Sequence, residues 1–125
     1  MLVLDSGGLS RLAQRDRVTA ALLIALRRRG LWPPVVPTVV LVESLTGTPR
    51  DANTNRFLKA CDVREGVSEH EARRAAALRT QARSGSAVDA LVIAIAEPGS
   101  TVLTADGGDL GALAVGANLV SVELV

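Results

Sequence analysis

The stretch Leu2-Val-Leu-Asp5-Ser-Gly-Gly8 decides the fold. Three consecutive apolar residues without alternation are typical of a short strand that is buried on both faces, as in a parallel sheet. Asp5 and Ser6 can accept hydrogen bonds from the amides that follow, so a helix is expected to begin directly after the strand. Asp5 then lies at the carboxyl end of a parallel strand, which is where open α/β sheets bind their ligands.

The alternation of strand and helix continues along the chain. The segment from Leu9 to Arg29 predicts two helices that are broken near Gln14–Asp16. Further strands are predicted at 35–36, 62–67, 101–103 and 119–122, and further helices at 38–45, 51–60, 68–82, 86–96 and 110–115. This order predicts a single α/β domain over residues 1–125, with a central, mainly parallel sheet of four or five short strands.

The composition limits the kinds of function to consider. Of the 125 residues, 48% are apolar, and Trp32 and Phe57 are the only aromatic residues, so the core must be aliphatic. Two aromatic side chains cannot form a platform on which successive bases of a single strand stack. Cys61 is the only cysteine, which excludes an intramolecular disulfide and a cysteine-based zinc site.

The charges do not make the whole chain a polycation, since its net charge is +1 and Lys59 is its only lysine. Arginine is suited to bidentate contacts with phosphate, so arginines on helices could hold a nucleic-acid backbone, although each alone is more simply part of a solvated helix face. The candidates are Arg11, Arg15, Arg27, Arg28, Arg50 and Arg56.

No segment of the sequence predicts a membrane or export function. The first residues lack the charged region of a signal peptide and meet Asp5 at once. The longest uncharged apolar stretches, 20–26 and 90–96, are too short to span a bilayer. We therefore expect a soluble cytoplasmic domain.

Four acidic residues follow or interrupt apolar runs: Asp5, Glu43, Asp89 and Asp106. An ionised carboxylate is costly to bury unless it is paired or binds a metal. One such acid means little, but four of them spaced through a globular chain predict one acidic pocket assembled from distant segments.

Three of these acids also have a structural interpretation. Asp5 could cap the helix that follows it. Asp89 lies three residues after Ser86, which is the spacing of a capping box with Asp in place of Glu. Asp106 precedes two glycines and could belong to a turn. Asp109 could be a further ligand or could cap the next helix.

Glu43 is harder to explain structurally. The preceding residues 39–42 and Leu45 are apolar, which is typical of a buried helix, and Glu43 lies beyond the first turn, so capping does not account for it. The alternative is an exposed stripe shared with Ser44 and Thr46. The sequence favours a functional role for Glu43.

Four segments carry a resemblance to a known family. They are Val3-Leu-Asp5-Ser6, Pro37-Thr-Val-Val-Leu-Val-Glu43, Val88-Asp89-Ala-Leu-Val-Ile-Ala94 and Leu103-Thr-Ala-Asp106-Gly-Gly-Asp109-Leu110. In order and spacing they resemble the PIN domain, and within it the VapC-type toxins of bacterial toxin–antitoxin pairs. The resemblance covers essentially the whole chain.

The resemblance implies a PIN-like three-layer α/β/α sandwich and a metal-dependent endoribonuclease that is neutralised by a VapB-like antitoxin. Such toxins are commonly homodimers. The acidic quartet implied for this chain is Asp5, Glu43, Asp89 and Asp106. Ser6 and Thr104 fall on positions that support the quartet.

The residue types independently indicate the metal. Four carboxylates with no cluster of histidine or cysteine nearby suit Mg²⁺ or Mn²⁺ rather than zinc. We expect Asp5, Asp89 and Asp106 to hold the ion, and Glu43 to ligate it or to orient the attacking water in phosphodiester hydrolysis. His70 lies in a capping segment and is more simply structural.

The alternative function is a catalytically weak PIN-like module that acts by binding RNA or a protein. Stoichiometric binding without metal-dependent turnover would favour it. DNA rather than RNA as the substrate is a further possibility.

Overall fold

A five-stranded sheet forms the centre of the computed structural model, which describes residues 1–125. The strands are β1 (Leu2–Leu4), β2 (Val35–Pro37), β3 (Asp62–Arg64), β4 (Thr101–Thr104) and β5 (Ser121–Leu124). Their order is β3-β2-β1-β4-β5, and every neighbouring pair is parallel. Parallel neighbours need crossover connections, which the helices supply.

Seven α-helices and one 3₁₀ helix connect the strands. The α-helices are α1 (Ser6–Leu12), α2 (Arg17–Arg28), α3 (Thr38–Ser44), α4 (Ala52–Leu58), α5 (Glu69–Ala82), α6 (Ala87–Ala96) and α7 (Gly108–Val115), and the 3₁₀ helix is Pro49–Asp51. The predicted break between the first two helices is confirmed. None of the helices combines the length and the apolarity needed to cross a bilayer.

Local signals explain where the helices α5 and α6 begin. The Ser68 hydroxyl accepts from the Glu71 amide at 3.1 Å, and the Glu71 carboxylate accepts from the Ser68 amide at 3.0 Å. Ser86 and Asp89 form the same reciprocal pair at the start of α6. Each capping box satisfies two amides that the first helical turn would leave unpaired.

The core lies around the central strands. All residues of β1 and β2 are buried, which requires helices on both faces of the sheet. Helices α1 and α6 contact the central strands, and α5 packs against α6. The buried side chains are almost all aliphatic, as the composition predicts. The predicted three-layer α/β/α sandwich is confirmed.

The last strand lies two residues later than the sequence predicts. Leu119, which the prediction placed in the strand, has a φ of 58°. A side-chain-bearing residue in this left-handed region interrupts an extended strand. Pairing with β4 instead begins at Ser121, opposite Thr101, and ends at Leu124, opposite Thr104. The predicted strand 62–67 is also shorter, ending at Arg64.

Cys61, which lies between α4 and β3, gives a testable property of the fold. Its thiol donates to the Phe57 carbonyl at 3.5 Å, and burial raises the pKa of the Cys61 thiol from 9.0 to about 12. Because the thiolate is the reactive form, alkylation of native protein by iodoacetamide at pH 8 should be about a thousandfold slower than that of an unperturbed thiol. In denaturant, labelling should return to the ordinary rate. Rapid labelling of folded protein would contradict the burial of this thiol.

Candidate active site

The sheet order creates a crevice at the carboxyl ends of β1 and β4. From β1, the chain proceeds to β2 on one side, whereas β4 pairs with β1 on the other side. This reversal is the position at which open α/β sheets bind ligands. Leu4 pairs with Leu103, so Asp5 and Thr104 emerge side by side, and Asp106 follows two residues later.

Both carboxylate oxygens of Asp5 accept hydrogen bonds. Oδ1 accepts from the Gly8 amide at 2.7 Å, which makes Asp5 the N-cap of α1. Oδ2 accepts from the Thr104 hydroxyl at 2.6 Å. Asp5 is 8% exposed and Thr104 is 1% exposed, so this pair lies at the floor of the crevice.

The environment of Asp5 opposes its ionisation. Burial is the main cause of a pKa above the ordinary value of 3.8, and the charge of Asp89 acts in the same direction. The hydrogen bonds from Thr104 and Gly8 lower the pKa and offset only part of this. No cation contributes to the pKa of Asp5. A carboxylate in this state would gain from a bound cation, which lowers its pKa.

Asp89 enters the crevice from the first turn of α6. Its Oδ2 accepts from the Ser86 amide at 3.3 Å, so the predicted capping box is confirmed. No protein donor reaches its Oδ1. Asp89 therefore caps its helix with one oxygen and presents a second oxygen without a hydrogen bond.

Asp106 behaves similarly in the turn after β4. Its Oδ1 accepts from the Gly108 amide at 3.1 Å, which confirms the predicted turn chemistry, and its Oδ2 has no protein partner. Its backbone is fixed by the Thr104 hydroxyl, which accepts from the Asp106 amide at 3.1 Å. Asp109 lies in the first turn of α7 and accepts from the Ser84 hydroxyl.

These groups line one cleft of about 340 Å³. Four of the lining residues are aspartates, and none is an arginine, lysine or histidine. Carboxylates that share a crevice without a cation produce a strongly negative potential there. The lining residues are Asp5, Ser6, Gly7, Asp89, Thr104, Ala105, Asp106, Gly108, Asp109 and Leu110.

Glu43 lies outside this cleft. Its side chain is exposed, and the residue is not part of the cleft lining. The prediction that its helix is buried is wrong, because α3 buries only Val40 and leaves Val42 81% exposed. A seven-residue helix at the edge of the domain can be apolar on most sides without being enclosed. The predicted role of Glu43 has no support from this geometry and stays a prediction.

The donor set fits a hard divalent cation in chemical type. It consists of carboxylate and hydroxyl oxygens, the ligands that Mg²⁺ and Mn²⁺ prefer. No three acidic, histidine or cysteine side chains converge closely enough to surround one ion in this structure. A divalent cation held by Asp5, Asp89 and Asp106 together would require these side chains to lie closer to one another than they do in this structure.

Asp51 is an acid that the sequence analysis missed, although it is 6% exposed. Its carboxylate accepts from the Thr46 amide, the Thr46 hydroxyl and the Gly47 amide at 2.8–3.0 Å. Its spacing from Thr48, as in a capping box, is a signal that the sequence does carry. Asp51 fixes the connection from α3 to α4 and is not part of the cleft.

The fold and the acidic cleft together place the chain in a class: a three-layer α/β/α domain with a parallel sheet and four aspartates lining one cleft at the switch point of that sheet. Two solved structures share this fold. A toxin–antitoxin complex from Klebsiella pneumoniae superposes with a TM-score of 0.67 at 21% identity and covers 96% of this chain and 95% of its own. The crystal structure of FitAcB from Neisseria gonorrhoeae superposes with a TM-score of 0.65 at 20% identity, covering 98% of this chain and 96% of its own.

Identities at this level establish a common fold. No protein-family model matches the chain, and a comparison with curated proteins finds no match either. The coverage of both chains is nearly complete, so the similarity extends over the whole domain rather than over one αβ unit. The fold class predicted from the sequence is confirmed.

Proposed function

We propose that this protein is a divalent-metal-dependent endoribonuclease and the toxin of a toxin–antitoxin pair. The observation that carries the nuclease proposal is the cleft itself: four aspartates without a cation at the carboxyl edge of the sheet. Support for the toxin proposal comes from the fold shared with the toxin–antitoxin complex from Klebsiella pneumoniae and from the sequence resemblance to VapC-type toxins.

Asp5, Asp89 and Asp106 would hold Mg²⁺ or Mn²⁺, and Asp109, which lines the same cleft, would be the next carboxylate available to the ion. The bound cation would activate a water for attack on phosphorus and offset the negative charge of the phosphodiester. Without a cation, four carboxylates would repel a phosphate, so we expect the cleft to bind RNA only weakly when no divalent ion is present. Ion binding and substrate binding are thus coupled through the charge of the cleft.

The protein's own groups orient the acids before any ion binds. The Thr104 hydroxyl fixes Asp5 and the backbone of Asp106 at once, since it lies within hydrogen-bond distance of both. The Gly8 amide holds the other oxygen of Asp5. Ser6 follows Asp5 on the cleft lining, where it can position water or a phosphate oxygen. Groups that hydrogen-bond to the ligands of a metal typically contribute about 10–100-fold to metal affinity or activity.

A second candidate function is a PIN-like module that binds RNA or protein with little or no turnover. The observation that favours it is the spacing of the acids, because no three of them surround a common point. The position of Glu43 outside the cleft also favours the binding module, because the cleft then lacks one of the four acids that the resemblance implies.

The resemblance also supports two assembly proposals. The first is a VapB-like antitoxin partner, and the negative cleft is complementary to a basic side chain of such a partner. The second is a homodimer of this chain.

The deciding experiment is an RNA-cleavage assay with an EDTA arm. Purified protein should cut labelled single-stranded RNA in Mg²⁺ or Mn²⁺ and stop in EDTA, with activity returning when the ion is restored. Matched DNA of the same sequence tests the alternative polymer under the same conditions. Saturable RNA binding with no turnover in either ion would favour the binding module and overturn the nuclease proposal.

A further inference from the structure

Beside the acidic cleft lies a second, shallower depression of about 490 Å³, here called the glycine groove. Three glycines and two edge-strand side chains line most of it: Gly107, Gly108 and Gly111 from the start of α7, and Val122 and Leu124 from β5. Leu124 is 68% exposed, so the apolar side of the groove is open to solvent.

The glycine groove is continuous with the acidic cleft. Ala105, Asp106 and Gly108 line both depressions. A polymer whose phosphodiester lies against Asp106 must continue along the surface, and the groove is an open path away from that position. Its surface is therefore available to the part of the substrate next to the bond that is cut.

The chemistry of the groove selects an uncharged occupant. Asp106 is its only charged residue, and no arginine, lysine or histidine lines it. A second phosphate placed there would meet a carboxylate and no cation. A nucleobase is neutral and largely apolar on its faces, and it can lie against aliphatic side chains and bare glycine backbone.

Gly111 lacks the usual structural reasons for a glycine. Its φ is not positive, and a Cβ added to it would have no neighbouring atom within 4 Å. Glycine inside a helix weakens that helix relative to alanine. By contrast, a Cβ at Gly107 would lie 3.2 Å from Leu124, within the groove itself. The missing side chain at Gly111 keeps the groove open without serving the packing of the fold.

We propose that the glycine groove is a nucleobase subsite, which receives the base adjacent to the scissile phosphate and sets the sequence preference of cleavage. This inference rests on the proposed ribonuclease function. Val122 and Leu124 supply the apolar contact, and Gly111 supplies the space.

Binding of uncharged ribonucleosides in EDTA tests the groove without any catalysis. At least one of the four common ribonucleosides should bind the wild type saturably. In amide NMR spectra, this binding should shift the signals of Gly108, Gly111, Val122 and Leu124. Gly111→Leu fills the groove at a position with free space and should weaken this binding about tenfold. Ala77→Leu places the same side chain on the exposed surface of α5 and should bind as the wild type does.

The cleavage profile on RNA of randomised sequence tests the role in specificity. The wild type should prefer one base, or one class of base, beside the cut, and Gly111→Leu should flatten that preference and cut the preferred sequence about tenfold more slowly. Ala77→Leu should keep both the rate and the preference.

The outcomes separate the two proposals. A wild type that does not cut RNA overturns the ribonuclease function, and the NMR titration then decides alone whether the groove binds nucleosides. A wild type that cuts RNA with a profile that Gly111→Leu leaves unchanged overturns the subsite and leaves the function standing. The subsite proposal is also overturned if no nucleoside shifts the amide signals of the groove residues. This holds even if short peptides shift those signals.

Discussion

Replacing Asp5 with asparagine is expected to abolish metal-dependent RNA cleavage while leaving the fold at least as stable as the wild type. Even the loss of a residue that only supports a metal ligand costs about 10–100-fold, so the loss of a direct ligand should reduce kcat/KM by about 100-fold or more. The assay is single-turnover cleavage of labelled RNA in saturating Mg²⁺.

The hydrogen bonds around Asp5 explain why asparagine should fold. Its carbonyl oxygen can accept from the Gly8 amide, and asparagine is as good an N-cap as aspartate. Its amide can donate to the Thr104 hydroxyl, which can redirect its own proton to the Asp106 carbonyl 3.0 Å away. Every polar atom therefore keeps a partner.

The pH dependence of this variant distinguishes a functional acid from a structural one. Because the folded-state pKa of Asp5 is raised, ionised Asp5 destabilises the native state at neutral pH, and the neutral amide removes that cost. Asp5→Asn should thus melt at or above the wild-type Tm at pH 7. The difference should shrink as the pH falls through the raised pKa of Asp5, and it should vanish only below the ordinary value of 3.8, where Asp5 is protonated in the folded and the unfolded state. A lower Tm with unchanged cleavage would mark Asp5 as structural.

Glu43→Gln is the matched comparison, since it makes the same change outside the cleft. Because Glu43 is exposed and lies outside the cleft, this variant should cleave RNA at nearly the wild-type rate. A loss as large as that of Asp5→Asn would show that α3 moves toward the cleft when RNA or metal binds, which would restore the role predicted from the sequence.

Most of the fold could be predicted because its signals are local. The buried run at Leu2–Leu4 and the capping serines Ser68 and Ser86 each fix an element through its immediate neighbours. The position of β5 is different, because it depends on pairing with β4 and on the left-handed residue Leu119. Neither of these is visible in the hydrophobic pattern of the last residues.

The site could be predicted in part, and the reason lies in how its acids are held. For Asp5, Asp89 and Asp106, the sequence offers a structural and a functional interpretation, and the two are compatible: each acid accepts a capping or turn bond and also lines the cleft. A carboxylate has two oxygens, so one bond to an amide does not exhaust it. Capping fixes the direction of an acid whose remaining lone pairs face the cleft.

Glu43 shows the opposite case. Its sequence context, apolar on nearly all sides, predicted a buried helix, but burial depends on what covers a helix, and this is a tertiary property. Helix α3 contacts α1, α6 and β2 and leaves Val42 and Glu43 exposed. The acid without a local structural explanation was therefore weaker evidence for the pocket than the acids that had one.

Gly8→Ala is expected to have the largest effect on stability of any single glycine-to-alanine substitution in this chain. The new Cβ would lie 2.1 Å from the Leu103 carbonyl oxygen and 2.9 Å from its carbon. These are backbone atoms of β4, which cannot rotate away. Helix α1 would have to withdraw from the sheet, at a cost of about 3 kcal/mol or more.

The same substitution at two other glycines provides an internal scale. At Gly7, the Cβ would lie 3.0 Å from the Cβ and amide nitrogen of Ala105, a tight contact that small shifts can relieve, so a moderate loss is expected. At Gly111, no atom lies within 4 Å, and alanine should stabilise α7 by about 0.5–1 kcal/mol. Urea unfolding should show Gly8→Ala as the least stable variant, Gly7→Ala as intermediate and Gly111→Ala as the most stable. Equal stabilities at positions 7, 8 and 111 would show that α1 does not lie against β4 as described.

Gly8→Ala should also remove cleavage activity in whatever fraction of the protein remains folded. The Gly8 amide holds Oδ1 of Asp5, and the Cβ would lie 3.2 Å from that same oxygen. When α1 withdraws, Asp5 moves away from Thr104, and the hydroxyl that links Asp5 to Asp106 loses one of its two partners. The close approach of α1 to β4 is thus both a packing contact and the support of the acidic cleft, so stability and activity should fall together at position 8 and separate at position 5.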